Sequence, residues 1–288
     1  MKHFKLIFVL PVVLLFAMIS GAPFSACTKN SKDTIYITHD SAVFKYDTTT
    51  LHDTVYDITT GLVAYYNFNG GNLNDSSGFK NNITFNNASP TTDRNGNANN
   101  AYLFNGVSSY MEVPNSSSLN PNGITLYAIV KVNGFYYGTD HGNFILVKGW
   151  DQADGMYMLE FSDFKNATGL PDTTQEVFLG AYGDNSNPGS ANGAVDFTGN
   201  YLSPGIWYKL AFTYDGVTAK LYINGVLNSA ATVSDPFTPN SMNLEIGRNN
   251  DPNNSLYPNW FNGAIDEIRI YNRALPQQAI NQLVSLTN

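Results

Sequence analysis

Hydrophobic and polar residues alternate in short runs from residue 61 to residue 271, with the two-residue period of half-buried β-strands. The alternation is clear at 217–223, where one face carries Val217, Ala219, Leu221 and Ile223 and the other carries Thr218, Lys220 and Tyr222. Asp-Gly at 215–216 and Asn-Gly at 224–225 favour the tight turns that join antiparallel strands. We therefore expect a hairpin there with one solvated face. Strands are predicted at residues 63–68, 101–105, 110–113, 124–132, 144–148, 156–161, 177–181, 207–214, 217–223, 243–246 and 264–271.

Helical periodicity is confined to the C-terminus, where Pro276 precedes a segment that predicts a short helix at 277–286, because proline is tolerated in a first helical turn. Charged residues make up only 13% of the chain, and 24 Gly and 13 Pro supply turns, a composition that disfavours a helical bundle. No interruption divides the strands into two domains. The predicted fold class is all-β, a single antiparallel β-sandwich of the jelly-roll type over residues 61–288 with one short C-terminal helix.

The first 26 residues have the pattern of a secretion signal. Lys2 and Lys5 precede an apolar run at 6–19, which is short for a membrane span of about 20 residues. Small residues follow as a cleavage region. The alternative is a membrane anchor that is never cut.

Cys27 is the only cysteine, so no disulfide is expected, and it directly follows Phe24-Ser25-Ala26. This segment resembles a bacterial lipobox, although Phe24 stands where Leu is usual. The resemblance implies a lipoprotein whose Cys27 is diacylated and becomes the mature N-terminus, which anchors the protein in the bacterial cell envelope, at the outer membrane or cell surface. The alternative is a stray cysteine in an ordinary signal peptide.

Residues 27–60 are predicted to form an extended tether between the lipid and the sandwich. They repeat Asp-Thr beside Tyr, Ile or Val, and they contain too few apolar residues for a core. Thr and Val favour extended backbone, so short strands are compatible with this segment. The alternative is a segment that oligomerises by strand addition.

Four blocks carry a resemblance to a known family. LVAYYNFNG at 62–70, followed by NDSSG at 74–78, is similar to the opening of bacterial laminin-G-like (LamG) domains of the concanavalin A-like lectin/glucanase superfamily. The other blocks come in family order: DRNGNA at 93–98 before AYLFNG at 101–106, WYKLAFTYDG at 207–216 before LYING at 221–225, and GAIDEIRIYNRAL at 263–275. The resemblance implies a jelly roll of two packed sheets, often with one structural calcium and a glycan or protein ligand.

A calcium site is predicted from two acidic residues. Ca²⁺ takes oxygen ligands, and Asp75 lies in a turn beside backbone carbonyls. Asp266 shares strand parity with two isoleucines, so it is expected to point inward, where a carboxylate needs a partner or a metal. The resemblance brings the two segments to one edge, with Asn74 and Gly78 as helpers. Alternatively, Asp75 caps its own turn and Asp266 pairs with Arg269 or Arg248.

Aromatic residues in loops are the predicted sugar contacts, because sugars stack their C–H faces on rings and loops carry function on a rigid scaffold. Trp207 lies in a strand, where core packing is expected. The alternative for the loop residues is that they close one end of the sandwich. The candidates are Tyr136, Tyr137, Trp150, Tyr257 and Trp260.

No catalytic motif is found. Related glucanases carry a Glu-x-Asp-x(x)-Glu string, which is absent here, and Glu112, Glu176 and Glu245 each stand alone in the sequence. The net charge of −8 argues against a nucleic-acid partner. We therefore expect a lipid-anchored, non-catalytic carbohydrate-binding domain that is not an enzyme. The alternatives are a protein-adhesion or surface-assembly module and a divergent glycoside hydrolase.

Overall fold

The structure, a computed structural model, describes residues 35–39, 42–46, 56–135, 142–149, 156–162, 176–183, 201–232, 239–249 and 259–287. The chain divides into two compact units, Met1–Thr54 and Val55–Asn288. In the first unit, β1 (Ile35–His39) and β2 (Ala42–Tyr46) form an antiparallel pair within the predicted tether. The predicted signal and Cys27 lie outside the described residues.

The second unit contains a seven-stranded antiparallel sheet. Its spatial order is β12-β11-β10-β9-β16-β7-β4. The strands are β4 (Phe85–Asn86), β7 (Met111–Val113), β9 (Gly142–Lys148), β10 (Met156–Ser162), β11 (Glu176–Gly183), β12 (Tyr201–Leu202) and β16 (Leu244–Ile246).

An eight-stranded antiparallel sheet faces it, in the order β15-β14-β13-β8-β17-β6-β5, with β3 also pairing with β17. Its strands are β3 (Leu62–Tyr66), β5 (Ser89–Thr91), β6 (Ala101–Asn105), β8 (Ile124–Val132), β13 (Trp207–Tyr214), β14 (Thr218–Ile223), β15 (Val226–Thr232) and β17 (Asn262–Tyr271). One helix, α1 (Gln277–Leu286), follows. The predicted all-β sandwich with a short C-terminal helix is confirmed. No helix in the described ranges combines the length and the apolar character that a membrane span requires.

The main core lies between the two sheets and draws alternate side chains from both. Phe104 of the eight-stranded sheet meets Phe261 edge-on, with ring centroids 6.0 Å apart. Phe261 in turn stacks on Phe161 of the seven-stranded sheet, with centroids 6.4 Å apart. All three side chains are fully buried, so this aromatic contact joins the two sheets across the sandwich.

The predicted hairpin turns form with one difference in length. Asn224 and Gly225 both have positive φ angles, 51° and 83°, and connect β14 to β15 as a two-residue turn of the predicted kind. The earlier connection spans 215–217, because Asp215 Oδ1 accepts hydrogen bonds from the N–H groups of Val217 and Thr218. Val217 therefore lies outside the strand and is 59% exposed, so its predicted position on the apolar face of the strand is wrong.

The outer face of the eight-stranded sheet is covered by α1, so the expectation of a solvated face on the β13–β14 hairpin is wrong. A second apolar cluster joins sheet residues such as Tyr127 and Tyr222 to Ile280 and Leu283 of the helix. Trp207 packs against this cluster rather than in the main core. Lys209 Nζ donates to Val284 O at 2.8 Å and Arg94 Nε to Thr287 O at 2.6 Å. These two cations stabilise the carbonyl end of the helix.

The helix supplies a matched test of this packing. Leu283→Ala removes a fully buried side chain and should lower the free energy of unfolding by about 2–5 kcal/mol. Leu286→Ala changes a side chain that is 63% exposed and should stay within about 0.5 kcal/mol of the parent protein. Urea denaturation of both variants measures the difference. Equal losses would contradict the docking of α1 on the sheet.

Candidate functional site

The seven-stranded sheet carries charged residues on the face that points away from the core. Leu244 and Ile246 of β16 belong to the main core, so Glu245 between them faces outward. The same alternation in β7 places Glu112 outward between Met111 and Val113. Phe85 of β4 lies opposite Glu112. Three neighbouring strands thus present Phe85, Glu112 and Glu245 side by side.

Glu112 and Glu245 stand alone in the sequence, but the sheet makes them direct cross-strand partners. Opposed residues of an antiparallel pair have Cβ atoms about 4.5–5.5 Å apart. Burial raises the pKa of Glu245 above its usual range, and Glu112 adds to the rise.

Arg248 holds the carboxylate of Glu245 in a fork. Its Nε donates to Oε2 at 2.8 Å and its second guanidinium nitrogen to Oε1 at 3.3 Å. The side chains are only 14% and 7% exposed. Such charge-assisted, two-point contacts fix geometry as well as energy, and this one opposes the rise in the pKa of Glu245.

Gly247 places Arg248 for this contact. Its φ is +86°, and a Cβ there would collide with the buried ring of Phe104. Only glycine combines this left-handed backbone with the close approach to Phe104. The core beneath the sheet therefore determines where the chain leaves β16 and where the guanidinium of Arg248 lies.

Three aromatic rings line up beside the carboxyl groups, and we call Phe85, Tyr110 and Trp260 the aromatic row. Phe85 stacks on Tyr110 with ring centroids 4.5 Å apart, and Tyr110 lies 6.1 Å from Trp260. The Arg248 guanidinium carbon is 3.3 Å from the Tyr110 centroid and 5.8 Å from that of Trp260. Arg248 thus links the rings to the acidic pair through cation–π contacts.

The aromatic row lies at the accessible end of its face. Phe85 is 41% exposed, and Tyr110 and Trp260 are half-buried. On the same face, Val147 and Met158 of the inner strands are buried, as is Glu160. A ligand can therefore reach this face at the β4, β7 and β16 side.

Two side-chain oxygens next to Arg248 and Trp260 in the chain make no hydrogen bond within the described part of the protein. They are Asn249 Oδ1 and Asn259 Oδ1, both buried. A buried acceptor without a partner costs about 1–3 kcal/mol, and each such group in a native structure calls for an explanation. A ligand or water hydroxyl is a suitable donor for both.

Among the predicted sugar contacts, the structure places Trp260 in the aromatic row. Tyr136, Tyr137, Trp150 and Tyr257 lie outside the described residues. Sequence reasoning missed Phe85, Tyr110 and Arg248. Tyr110 was assigned to a strand, and the only local signal for the others was an aromatic or basic residue beside a predicted strand end.

Asp75 closes its own loop. Its carboxylate accepts hydrogen bonds from Tyr65 N at 2.9 Å, Ser77 N at 2.8 Å, Ser77 Oγ at 2.7 Å and Asn81 N at 3.0 Å. Asn74 is exposed and bonds to Asn72. Gly78 has a φ of +95° in the same exposed loop.

Asp266 pairs with Arg94, not with Arg269 or Arg248. Arg94 reaches Asp266 Oδ2 through its guanidinium at 2.6 Å and its backbone N–H at 3.1 Å. Burial raises the pKa of Asp266 despite this partner. Within the described ranges, no group of three or more His, Cys, Asp or Glu side chains is arranged to hold a metal. Calcium binding through Asp75, Asp266, Asn74 and Gly78 stays a prediction.

The calcium prediction has a test that separates metal binding from turn capping. If Asp75 is a ligand, EDTA should lower the melting temperature of the parent protein, and Asp75→Ala should abolish that response. Asp57→Ala is the matched control, because Asp57 caps another turn through Thr59 and Thr60 and should keep the EDTA response. Differential scanning calorimetry with calcium or EDTA measures it. An unchanged EDTA response in Asp75→Ala removes Asp75 from the site.

A laminin G family model, described as the concanavalin A-like lectin/glucanases superfamily, matches residues 104–281. None of the curated proteins compared with the chain matches it. Among solved structures, domain 4 of AbnA, a GH43 extracellular arabinanase from Geobacillus stearothermophilus in complex with arabinotriose, is 26% identical, with a TM-score of 0.54. The match covers 77% of this chain and 98% of that domain.

Two toxin domains share the fold at lower identity. The binding domain of Paraclostridial Mosquitocidal Protein 1 is 16% identical with a TM-score of 0.59, and the match covers 80% of this chain and 53% of that one. The binding domain of botulinum neurotoxin DC in complex with SialylT is 13% identical with a TM-score of 0.56, over 81% of this chain and 53% of that one. This chain thus spans about half the length of each toxin domain.

Proposed function

Because the chain belongs to the laminin G-like family of the concanavalin A-like lectin/glucanase superfamily, we propose that its sandwich binds a glycan at the aromatic row and does not cleave it. The observation that carries the proposal is the alignment of Phe85, Tyr110 and Trp260 beside a set of polar groups. Ligand sites combine apolar or aromatic lining with a few placed polar groups. Sugars match this combination, since they present C–H faces and hydroxyls.

The similarity to an arabinotriose-bound domain supports a glycan ligand. That domain is matched over 98% of its length. It is one domain of a hydrolase, and its complex contains an oligosaccharide. The toxin domains lend support only to the fold.

The geometry of the acidic pair supports binding without hydrolysis. Glycosidases keep their two carboxyl groups about 5–5.5 Å apart for retention or about 6.5–9.5 Å apart for inversion, with the sugar between them. Arg248 donates to both oxygens of Glu245, at 2.8 and 3.3 Å. A carboxylate held in this way is poorly placed to attack a glycosidic bond or to protonate its oxygen.

Truncating the tryptophan of the aromatic row tests the proposal. Trp260→Ala should weaken binding of a neutral polysaccharide such as arabinan, β-glucan or xylan by about 30-fold. This factor corresponds to a loss of about 2 kcal/mol in binding free energy, as expected for a hot-spot tryptophan. Phe79→Ala, which removes a ring 54% exposed and outside the aromatic row, should leave affinity unchanged. A glycan array followed by isothermal titration calorimetry measures both.

Incubating the protein with the same polysaccharides shows whether it cleaves them. We expect no new reducing ends from any polysaccharide that binds. Release of oligosaccharides that is lost in Glu112→Gln or Glu245→Gln would establish a divergent glycosidase instead.

A protein-adhesion role has one observation in its favour. β15 is an edge strand without charged residues, and Val226 and Leu227 on it are 66% and 46% exposed. Uncharged edge strands are ready templates for pairing with another chain. Absence of binding to every glycan in a broad panel would favour the protein-adhesion role.

We also propose that Cys27 carries a lipid that anchors the protein in the cell envelope, on the strength of its position after the predicted signal. Wild-type protein expressed in a bacterial host should partition into the detergent phase, because two or more acyl chains anchor stably. Cys27→Ser should partition into the aqueous phase. A mature mass that still includes residues 1–26 would support the uncleaved-anchor alternative.

A further inference from the structure

We propose that the aromatic row selects neutral, hydroxyl-rich saccharides and excludes anionic ones, an inference that rests on the proposed glycan-binding function. The proposal follows from the kind of polar atom that the site presents and from the charges around it.

Two hydrogen-bond acceptors adjoin residues of the site in the chain, because Asn249 follows Arg248 and Asn259 precedes Trp260. Asn249 Oδ1 and Asn259 Oδ1 are buried and without a donor in the described part of the chain. The Glu112 carboxyl group offers further oxygens. A sugar hydroxyl supplies the donors that these atoms need, whereas a ligand carboxylate or sulfate has only acceptors to offer.

The cation of the site is already in use. Arg248 forks onto Glu245 and stacks on Tyr110, so an anionic ligand would have to displace Glu245. Displacement would leave a carboxylate that is 7% exposed without its partner, an expensive state for a buried charge. The guanidinium of Arg248 is therefore unavailable to a uronic or sialic acid.

A further acidic residue lies on the same face of the sheet as the site. Glu160 faces the same side of the sheet as Glu245, because β10 pairs through β9 with β16 and its neighbours Leu159 and Phe161 belong to the core. The whole chain carries −8. Long-range repulsion therefore adds to the local mismatch for an anionic glycan.

Chemically modified ligands test this selectivity with the protein unchanged. The full-length protein carrying Cys27→Ser, for solubility, is titrated with arabinan, carboxymethyl arabinan and hydroxyethyl arabinan, and with the same three forms of β-glucan. The hydroxyethyl group matches the carboxymethyl group in size but is neutral. We expect the carboxymethyl form to bind at least tenfold more weakly than the hydroxyethyl form at low ionic strength. Raising the salt concentration should narrow the gap.

A double variant tests the source of the selectivity. Glu112→Gln/Glu245→Gln removes both carboxyl charges and should raise the affinity for the carboxymethyl ligand at least threefold relative to the hydroxyethyl one. Glu267→Gln is the matched control, because Glu267 is also buried and paired with an arginine, Arg269 at 2.6 Å, but lies on the other sheet. It should leave the ratio unchanged. Thermal melts establish that each variant is folded, and the wild-type titrations stand independently of them.

The outcomes separate this inference from the proposed function. Equal binding of carboxymethyl and hydroxyethyl ligands at low salt, with both lost in Trp260→Ala, would overturn the charge selection and leave glycan binding in place. Binding of neither neutral polysaccharide nor any other glycan on the array would remove the proposed function, and this inference with it.

Discussion

Side chains along β16 alternate between the core and the outer face, and the candidate site depends on that alternation. Leu244 and Ile246 are fully buried between the sheets, which directs Glu245 outward. A slip of one residue would exchange the two faces and bury a carboxylate among apolar groups. Gly247 then turns the chain where the Phe104 ring admits no Cβ, and Arg248 arrives at Glu245. The packing that joins the two sheets thus also positions the guanidinium between Tyr110 and Glu245.

The two outer faces of the sandwich differ in how far they are covered. On the eight-stranded sheet, Ile280 and Leu283 of α1 cover Tyr127 and Tyr222, and this face is committed to stability. On the seven-stranded sheet, exposure rises from none at Val147 of β9 to 41% at Phe85 of β4. Apolar rings that remain accessible beside satisfied charges are typical of ligand sites rather than of the core.

Patterns within short segments of the sequence predicted much of the fold. Predictions that depend on how distant segments pair were wrong for identifiable reasons. The helix Gln277–Leu286 and the strand Ile124–Val132 match their predicted bounds, because periodicity and proline placement are local properties. The direction of Asp266 was predicted from strict alternation along the strand. That alternation does not hold, since β17 has an irregularity between Ile265 and Glu267 that shifts the register. Such a bulge is not readable from alternation alone.

The candidate site was only partly predictable for the same reason. Trp260 could be named from its loop position. Glu112 and Glu245 are 133 residues apart in the sequence, and only the pairing of β7 with β16 makes them neighbours. The cover of α1 over the hairpin was missed too, because Lys209 and Tyr222 look solvated in a two-residue pattern, although they meet the helix.

Two kinds of buried polar group show which part of the molecule is structural and which is suited to a ligand. Lys148 is fully buried, and burial lowers its pKa to about 8. Its ammonium nevertheless donates to Asn120 Oδ1, Asn240 O and Asn240 Oδ1, so its three donors are matched by three acceptors from the chain itself. Lys148 therefore links loops to the sheet, and its hydrogen bonds are complete without a partner molecule.

The oxygens of Asn249 and Asn259 contrast with this arrangement. They are buried beside Arg248 and Trp260 in the chain and have no donor among the described residues. A buried acceptor without a donor lowers the stability of the folded protein. Features of this kind are concentrated at functional sites. Unlike Lys148, these two acceptors can still gain a hydrogen bond, which agrees with the proposed binding of a molecule rich in hydroxyl donors.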